Sequence, residues 1–173
     1  MPYRTILGSV SLNPETVRLL FEYNPETGIL YRIMVNGELK KIGTPKGVDE
    51  HLITQFKDKI YPVTHIIWLW VYGRFPHSGM IVEHEDLNKQ NNKLSNLREA
   101  TQSQNMANTK VTKRSKSGVK GVFWDKDRNK WAVYLTKDYK THFIGRFDNI
   151  EDAKRQHAHA SRIFFGEFAR VND

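Results

Sequence analysis

Apolar positions fall at helical spacing in a few stretches of the chain and alternate with polar ones in many more. Over residues 11–23, Val17, Leu20 and Phe21 share one face, Asn13 is placed to cap and Pro14 takes the first helical position, so the spacing predicts a short helix. Asn24-Pro25-Glu26-Thr27-Gly28 is a turn cluster. Residues 29–33, 40–42, 51–56 and 59–63 read as short strands joined by polar turns. The run 64–72 reads as a helix stopped by Gly73 and Pro76. Residues 80–84 form a strand, 85–94 a polar loop and 101–108 a short helix.

The pattern changes after residue 108. Residues 109–118, Thr-Lys-Val-Thr-Lys-Arg-Ser-Lys-Ser-Gly, hold one apolar side chain and read as a flexible basic arm. Beyond it, residues 119–124, 130–137 and 140–147 are strand-like runs rich in aromatic and β-branched residues. Asn149 then caps a helix that runs to about Phe165 and stops at Gly166, with Glu151 and Asp152 on the favourable side of its dipole. The implied fold class is α+β in two domains, residues 1–108 and 118–173, joined by a basic linker over 109–117. The second domain is a three-stranded antiparallel sheet on one helix.

Composition narrows the field. The 173 residues are 39% hydrophobic, enough to build a core. Cysteine is absent, which excludes disulfides and thiolate zinc sites and fits a reducing compartment. No apolar run approaches the roughly 20 residues of a membrane span, and the N-terminus lacks a signal-peptide pattern. Net charge is +8, and residues 109–173 hold 15 Lys and Arg against 8 Asp and Glu, while residues 1–108 hold 12 against 11. An excess this local is the footprint of a polyanion, and nucleic acid is the expected partner.

The segment 81–108 carries the candidate chemistry. An acid directly precedes a histidine (Glu83, His84), Asn96 follows in Asn-Leu-Arg, and Asn105 lies nine residues further on. Phosphodiester hydrolysis needs a nucleophile, charge relief on the phosphate and help for the leaving oxygen. A Mg²⁺-type ion takes oxygen ligands and keeps several waters. Glu83 and the Asn105 amide oxygen suit such an ion, and His84 suits a general base near neutral pH. Neighbours on a strand point to opposite faces, so Glu83 and His84 serve one phosphate only where the strand ends and the chain bends into the polar loop. Asn96, able to donate and accept, suits the pinning of that loop. His65, on an apolar helix, reads as a core histidine.

Glu83-His84, Asn91-Asn92, Asn96-Leu97-Arg98, Ala100-Thr101 and Gln104-Asn105 together resemble the HNH (ββα-metal, His-Me finger) endonucleases of the phage and homing type. Upstream, Tyr23-Asn24-Pro25-Glu26-Thr27-Gly28 and His65 before Ile66-Ile67-Trp68 fit the same branch, so the resemblance covers roughly residues 15–109. It implies an N-terminal nuclease domain with His84 as general base, Glu83 and Asn105 as metal ligands, Asn96 as the structural asparagine, and Mg²⁺ or Mn²⁺ as cofactor. Arg98 is expected on DNA. The family usually has Asp where this chain has Glu83, and the added methylene moves the carboxylate by about a bond length, a shift to which catalysis is sensitive.

Residues 117–171 resemble a second family, the DNA-binding domain of plant ethylene-response factors, through Gly118-Val119-Lys120-Gly121-Val122, Lys130-Trp131, Ile144-Gly145 with Phe147, Glu151-Asp152-Ala153 and Gly166. That resemblance implies a sheet face in the major groove of duplex DNA. Alternation puts Trp131, Val133, Leu135 and Ile144 toward the helix and Phe123, Tyr134, Thr136, Thr141 and Phe143 outward. Lys120, Lys126, Arg128, Lys130 and Arg146 flank them, and Lys110, Lys113, Arg114 and Lys116 on the arm complete the expected DNA contacts. The family's base-reading arginines are mostly Phe, Tyr and Thr here. The expectation is a metal-dependent endonuclease acting on double-stranded DNA as a monomer or homodimer, in the cytoplasm (a bacterial host's, if phage-encoded). The rival is a non-catalytic DNA-binding protein on a nuclease scaffold impaired by Glu83. A weaker third reading is RNA binding through stacking on the aromatic sheet.

Overall fold

A computed structural model describes residues 11–46, 51–113 and 115–171, and contacts divide the chain into two compact units, the division falling between Glu99 and Ala100.

In the first unit, α1 (Pro14–Leu20) is capped by the Asn13 side chain, which accepts from Thr16 N at 2.8 Å. The helix expected to reach residue 23 ends at Leu20. Phe21–Asn24 is instead strand β1, buried at Phe21 and Tyr23 and exposed between, so the period of two overrides the helical one. β1 pairs antiparallel with β2 (Ile29–Ile33), which pairs with β3 (Leu39–Lys41). A second antiparallel sheet has the order β4 (Thr44–Lys46), β5 (His51–Phe56), β6 (Lys59–Pro62). Helix α2 (Val63–Tyr72) follows and ends on Gly73 in the left-handed conformation. Val17, Phe21, Leu30, Ile66 and Ile67 form one core with Val82 and Leu97. Full burial of such side chains stabilises by about 1.5–3 kcal/mol each. Val82 and Leu97 belong to β7 (Met80–His84) and β8 (Leu97–Thr101), which make a two-stranded sheet, so the core anchors both strands that bracket the polar loop.

The second unit takes in the end of β8 and α3 (Gln102–Asn108), whose capping box joins Thr101 and Gln104. Its sheet has the order β11 (Lys140–Phe147), β10 (Lys130–Lys137), β9 (Val122–Asp125), antiparallel throughout. Across β10 and β11 the register passes from Val133↔Gly145 to Tyr134↔Phe143, so Ile144 is the extra residue of a bulge. Helix α4 (Ile150–Phe165), capped by Asn149, packs on β10 and β11. Val122, Val133 and Ala153 form one core cluster, and Ala100, Leu135, Ala160, Phe165 and Phe168 another, with Trp131, Ile144 and Ala107 packed against them. Helix α3 is held inside this unit, because the Lys120 ammonium bonds the carbonyls of Met106, Ala107 and Thr109 at its C-terminus. No helix among the described residues is long and apolar enough to cross a membrane.

Candidate active site and nucleic-acid face

His84 ends β7 where the chain turns into the polar loop, and Glu83 precedes it. Both are buried, at 4% and 3% exposure. Their partners differ. His84 Nε2 lies 2.8 Å from Asn92 Oδ1. An amide oxygen accepts, so Nε2 carries the proton and Nδ1 the lone pair. Burial is the largest influence on His84 and pushes its pKa down; the Asn92 bond opposes it less strongly, so the neutral ring prevails at pH 7.

Glu83 Oε1 accepts from Arg98 Nε at 2.6 Å, and Arg98 Nη1 stands 3.9 Å from Glu85. Arg98, expected on DNA, is therefore the internal counter-ion of the carboxylate expected on the metal.

The loop itself is tied from within. The Asn96 side chain accepts from Asp86 N at 3.0 Å and donates to Asp86 Oδ1 at 2.9 Å and Asn91 O at 2.8 Å. Its backbone carbonyl accepts from Glu85 N at 3.0 Å. Asp86 also accepts from Asn88 N and Asn91 Nδ2, and these amide bonds hold its carboxyl below the usual range despite partial burial. The buried Asn92 carbonyl accepts from Tyr23 Oη at 2.7 Å, fixing the loop to β1. Gly28 sits under the loop with φ +74, and a Cβ there would lie 2.4 Å from Lys93 N. Only glycine fits that approach.

Asp86 and Asn92 are the residues that sequence reasoning left without a role. Asn92 was visible within the Asn91-Asn92 pair, but its contact with His84 spans a loop whose path the sequence does not spell out. Asn105 lies on α3 in the second unit, partly buried.

The Glu83 carboxylate is a hard oxygen donor of the kind Mg²⁺ takes. Among the described residues no group of three or more His, Asp and Glu side chains is placed to hold a metal. A cation at Glu83 shares that carboxylate with Arg98.

In the second unit the outward residues line up across the three strands. The Tyr134 ring lies 6.5 Å from Phe123 and 5.3 Å from Phe143, and the Arg146 guanidinium stands 4.8 Å over the Phe143 ring. Phe123 and Phe143 are exposed, and Thr136 and Thr141 share a hydroxyl hydrogen bond beside them at 3.1 Å. Arg146 and Arg128 also pair with Asp125, and Lys130 with Asp148. Lys110, Lys113, Lys116 and Lys126 are exposed. Lys120 differs from its neighbours, since its ammonium is engaged by the end of α3 rather than presented on the face. Arg114 lies outside the described residues.

Residues 61–107 match the family model for HNH endonucleases. The matched stretch takes in α2, β7, the polar loop, β8 and most of α3, and is similar to HNH endonucleases. The chain is 34% identical to protein 3.8 of Escherichia phage T7 over 110 residues, which cover 63% of this chain and 89% of that protein, and it belongs to that protein's family. It is also 36% identical to an uncharacterized HNH endonuclease, L560, of Acanthamoeba polyphaga mimivirus over 107 residues, 62% of this chain and about half (54%) of that one. A solved structure titled "DNA binding and cleavage by the HNH homing endonuclease I-HmuI" aligns over 93% of this chain and 91% of its own at 18% identity, with a TM-score of 0.43.

Proposed function

We propose that this protein is a DNA endonuclease of the phage or homing type that hydrolyses phosphodiester bonds with a divalent cation and a histidine base. The observation that carries the reading is the His84–Asn92 hydrogen bond within a loop pinned by Asn96. The bond fixes the ring's tautomer, and the loop fixes its position, as a general base requires.

In this reading His84 Nδ1 takes a proton from the attacking water, and Nε2–H on Asn92 Oδ1 steadies the imidazolium that results. Asn96 and Asp86 hold the backbone that carries the base. Glu83 and Asn105 would bind the cation, Mg²⁺ or Mn²⁺, which supplies charge relief at the phosphate and the leaving oxygen when bound. Arg98 orients the Glu83 carboxylate. The basic arm and the aromatic face Phe123–Tyr134–Phe143, with Arg146, Lys126 and Arg128 around it, supply affinity for duplex DNA through phosphates, sugars and base edges. One motif per chain makes one cut per chain, so cutting both strands takes two chains or two successive events.

The test is His84→Ala. Cleavage should be lost while DNA affinity measured in EDTA is kept; equal cleavage would remove the histidine from the mechanism. A second reading, a DNA-binding protein without catalysis, draws support from the Glu83–Arg98 pair, which neutralises the carboxylate a cation needs.

A further inference from the structure

The second unit contains a cavity of about 480 Å³ that the nuclease reading does not use. Its walls include Met106 of α3, Phe123 and Tyr134 of the sheet, and His157, Ser161 and Phe165 of α4. Most of the lining is apolar, and this is the size range of small-ligand sites.

Two of the polar lining residues are buried. His157 and Ser161 stand one helical turn apart on α4 and are 5% and 4% exposed. Buried polar side chains nearly always have a hydrogen-bond partner. Neither side chain makes a hydrogen bond with another described residue, and both line the cavity, whereas the fully buried side-chain polar atom left without a partner among the described residues is Trp68 Nε1 in the other unit. Burial, aided by the nearby Lys120 charge, keeps His157 neutral, so its ring offers one donor and one acceptor. The Ser161 hydroxyl offers both as well.

The two chemistries together describe a flat heterocycle with polar edges. Aromatic walls accept its faces, and two adjacent donor–acceptor groups meet its rim. The cavity is continuous with the exposed face of the sheet, for Phe123, Tyr134, Thr136 and Thr141 belong to both. The unit is also where the chain's positive charge is concentrated.

We propose that this cavity receives one nucleobase, unstacked from DNA lying on the aromatic face, with its ring among Phe123, Tyr134 and Phe165 and its edge on His157 and Ser161. The proposal rests on the DNA-binding reading of that face. Extrusion is least costly where a base is unpaired, and stacking in the cavity offsets it. The protein should therefore favour duplexes that carry an extrudable base.

The experiment uses the full chain in EDTA, so that no cutting occurs, and compares a fully paired duplex with one of equal length holding a single unpaired 2-aminopurine. Anisotropy should show about tenfold tighter binding to the second, and the 2-aminopurine emission should be quenched as the base enters the aromatic walls. Ser161→Leu fills the cavity and removes one polar group. Met106→Trp, at a position 56% exposed, narrows the mouth without touching the core. Each should bring the two affinities within about twofold while leaving that for the paired duplex unchanged; Met106→Trp carries the test alone if Ser161→Leu does not fold. Equal affinities in the wild type, or a preference that survives Met106→Trp, would overturn the cavity assignment. Failure to bind either duplex would instead overturn the DNA-binding reading beneath it.

Discussion

Arg98→Met strikes the least replaceable contact of the candidate site. Arg98 Nε lies 2.6 Å from Glu83 Oε1, with the two side chains 15% and 1% exposed. Charges roughly 4 Å apart attract by about 4 kcal/mol at an effective dielectric of about 20. Removing one partner of a buried pair costs about 3–5 kcal/mol, because the other charge stays buried without it. Methionine roughly fills the arginine's stem volume, so most of that cost is electrostatic. For a unit of about 100 residues, each kcal/mol moves Tm by about 4–8 °C, and a fall of more than about 10 °C is expected. Urea and thermal unfolding of Arg98→Met, Glu83→Gln and the double variant would form a cycle. The double variant should recover much of the loss, since no unpaired charge remains. DNA binding in EDTA should keep its salt dependence. A cost below about 1 kcal/mol together with a salt slope lowered by about one would refute the argument, for it would place Arg98 on a phosphate instead of on Glu83.

Other outcomes follow from the same geometry. Glu99 accepts a forked pair of bonds from Arg74 at 2.9 and 2.8 Å and one from His77 N, and the Arg74 bonds chiefly hold its pKa down to about 2 from 4.5. The folded value lies below the unfolded one, so this stabilisation is present above about pH 4.5 and is lost as pH falls toward 2. Glu99→Gln should cost about 1–2 kcal/mol in urea at pH 7 and flatten the acid limb; an unaltered pH profile would contradict it. Asn96→Ala removes three side-chain bonds that tie the loop and should lower cleavage at least about tenfold with DNA affinity kept, whereas full activity would deny the loop its positioning role. Gly28→Ala forces a Cβ against Lys93 N at a left-handed φ and should cost about 2 kcal/mol or more in thermal unfolding; a neutral result would mean the turn does not support the loop as described.

Much of the architecture was legible in the chain. The strands at 51–56, 80–84, 130–137 and 140–147 stand where alternation put them, and the long helix begins at its Asn149 cap and ends before Gly166. Local rules sufficed there because pattern, caps and turns agree. They failed where tertiary pairing decides. Phe21 fits a helical face with Val17 and Leu20 as well as a strand, and only the hairpin partner Ile29–Ile33 settles the choice. Strand β8 was hidden because Leu97–Thr101 mixes Arg and Glu with two buried apolar residues. The composition shift at the basic arm suggested a boundary after residue 108, whereas contacts set it at Glu99 because Ala100 and Ala107 pack with Leu135, Ala160 and Phe165. In the candidate site the acid-His pair and Asn96 stood out by spacing. The Asn92 contact with His84 and the Asp86 hub did not, since each depends on how the loop folds back on itself.

Incubating supercoiled plasmid with the protein in Mg²⁺ or Mn²⁺ and in EDTA tests whether His84 drives metal-dependent cleavage. Nicked or linear product that forms with the cation, vanishes in EDTA and is absent with His84→Ala is the result expected of an HNH endonuclease working through that histidine. DNA that is bound and shifted but never cut, in either cation, would contradict it and leave the chain a DNA-binding protein on a nuclease scaffold.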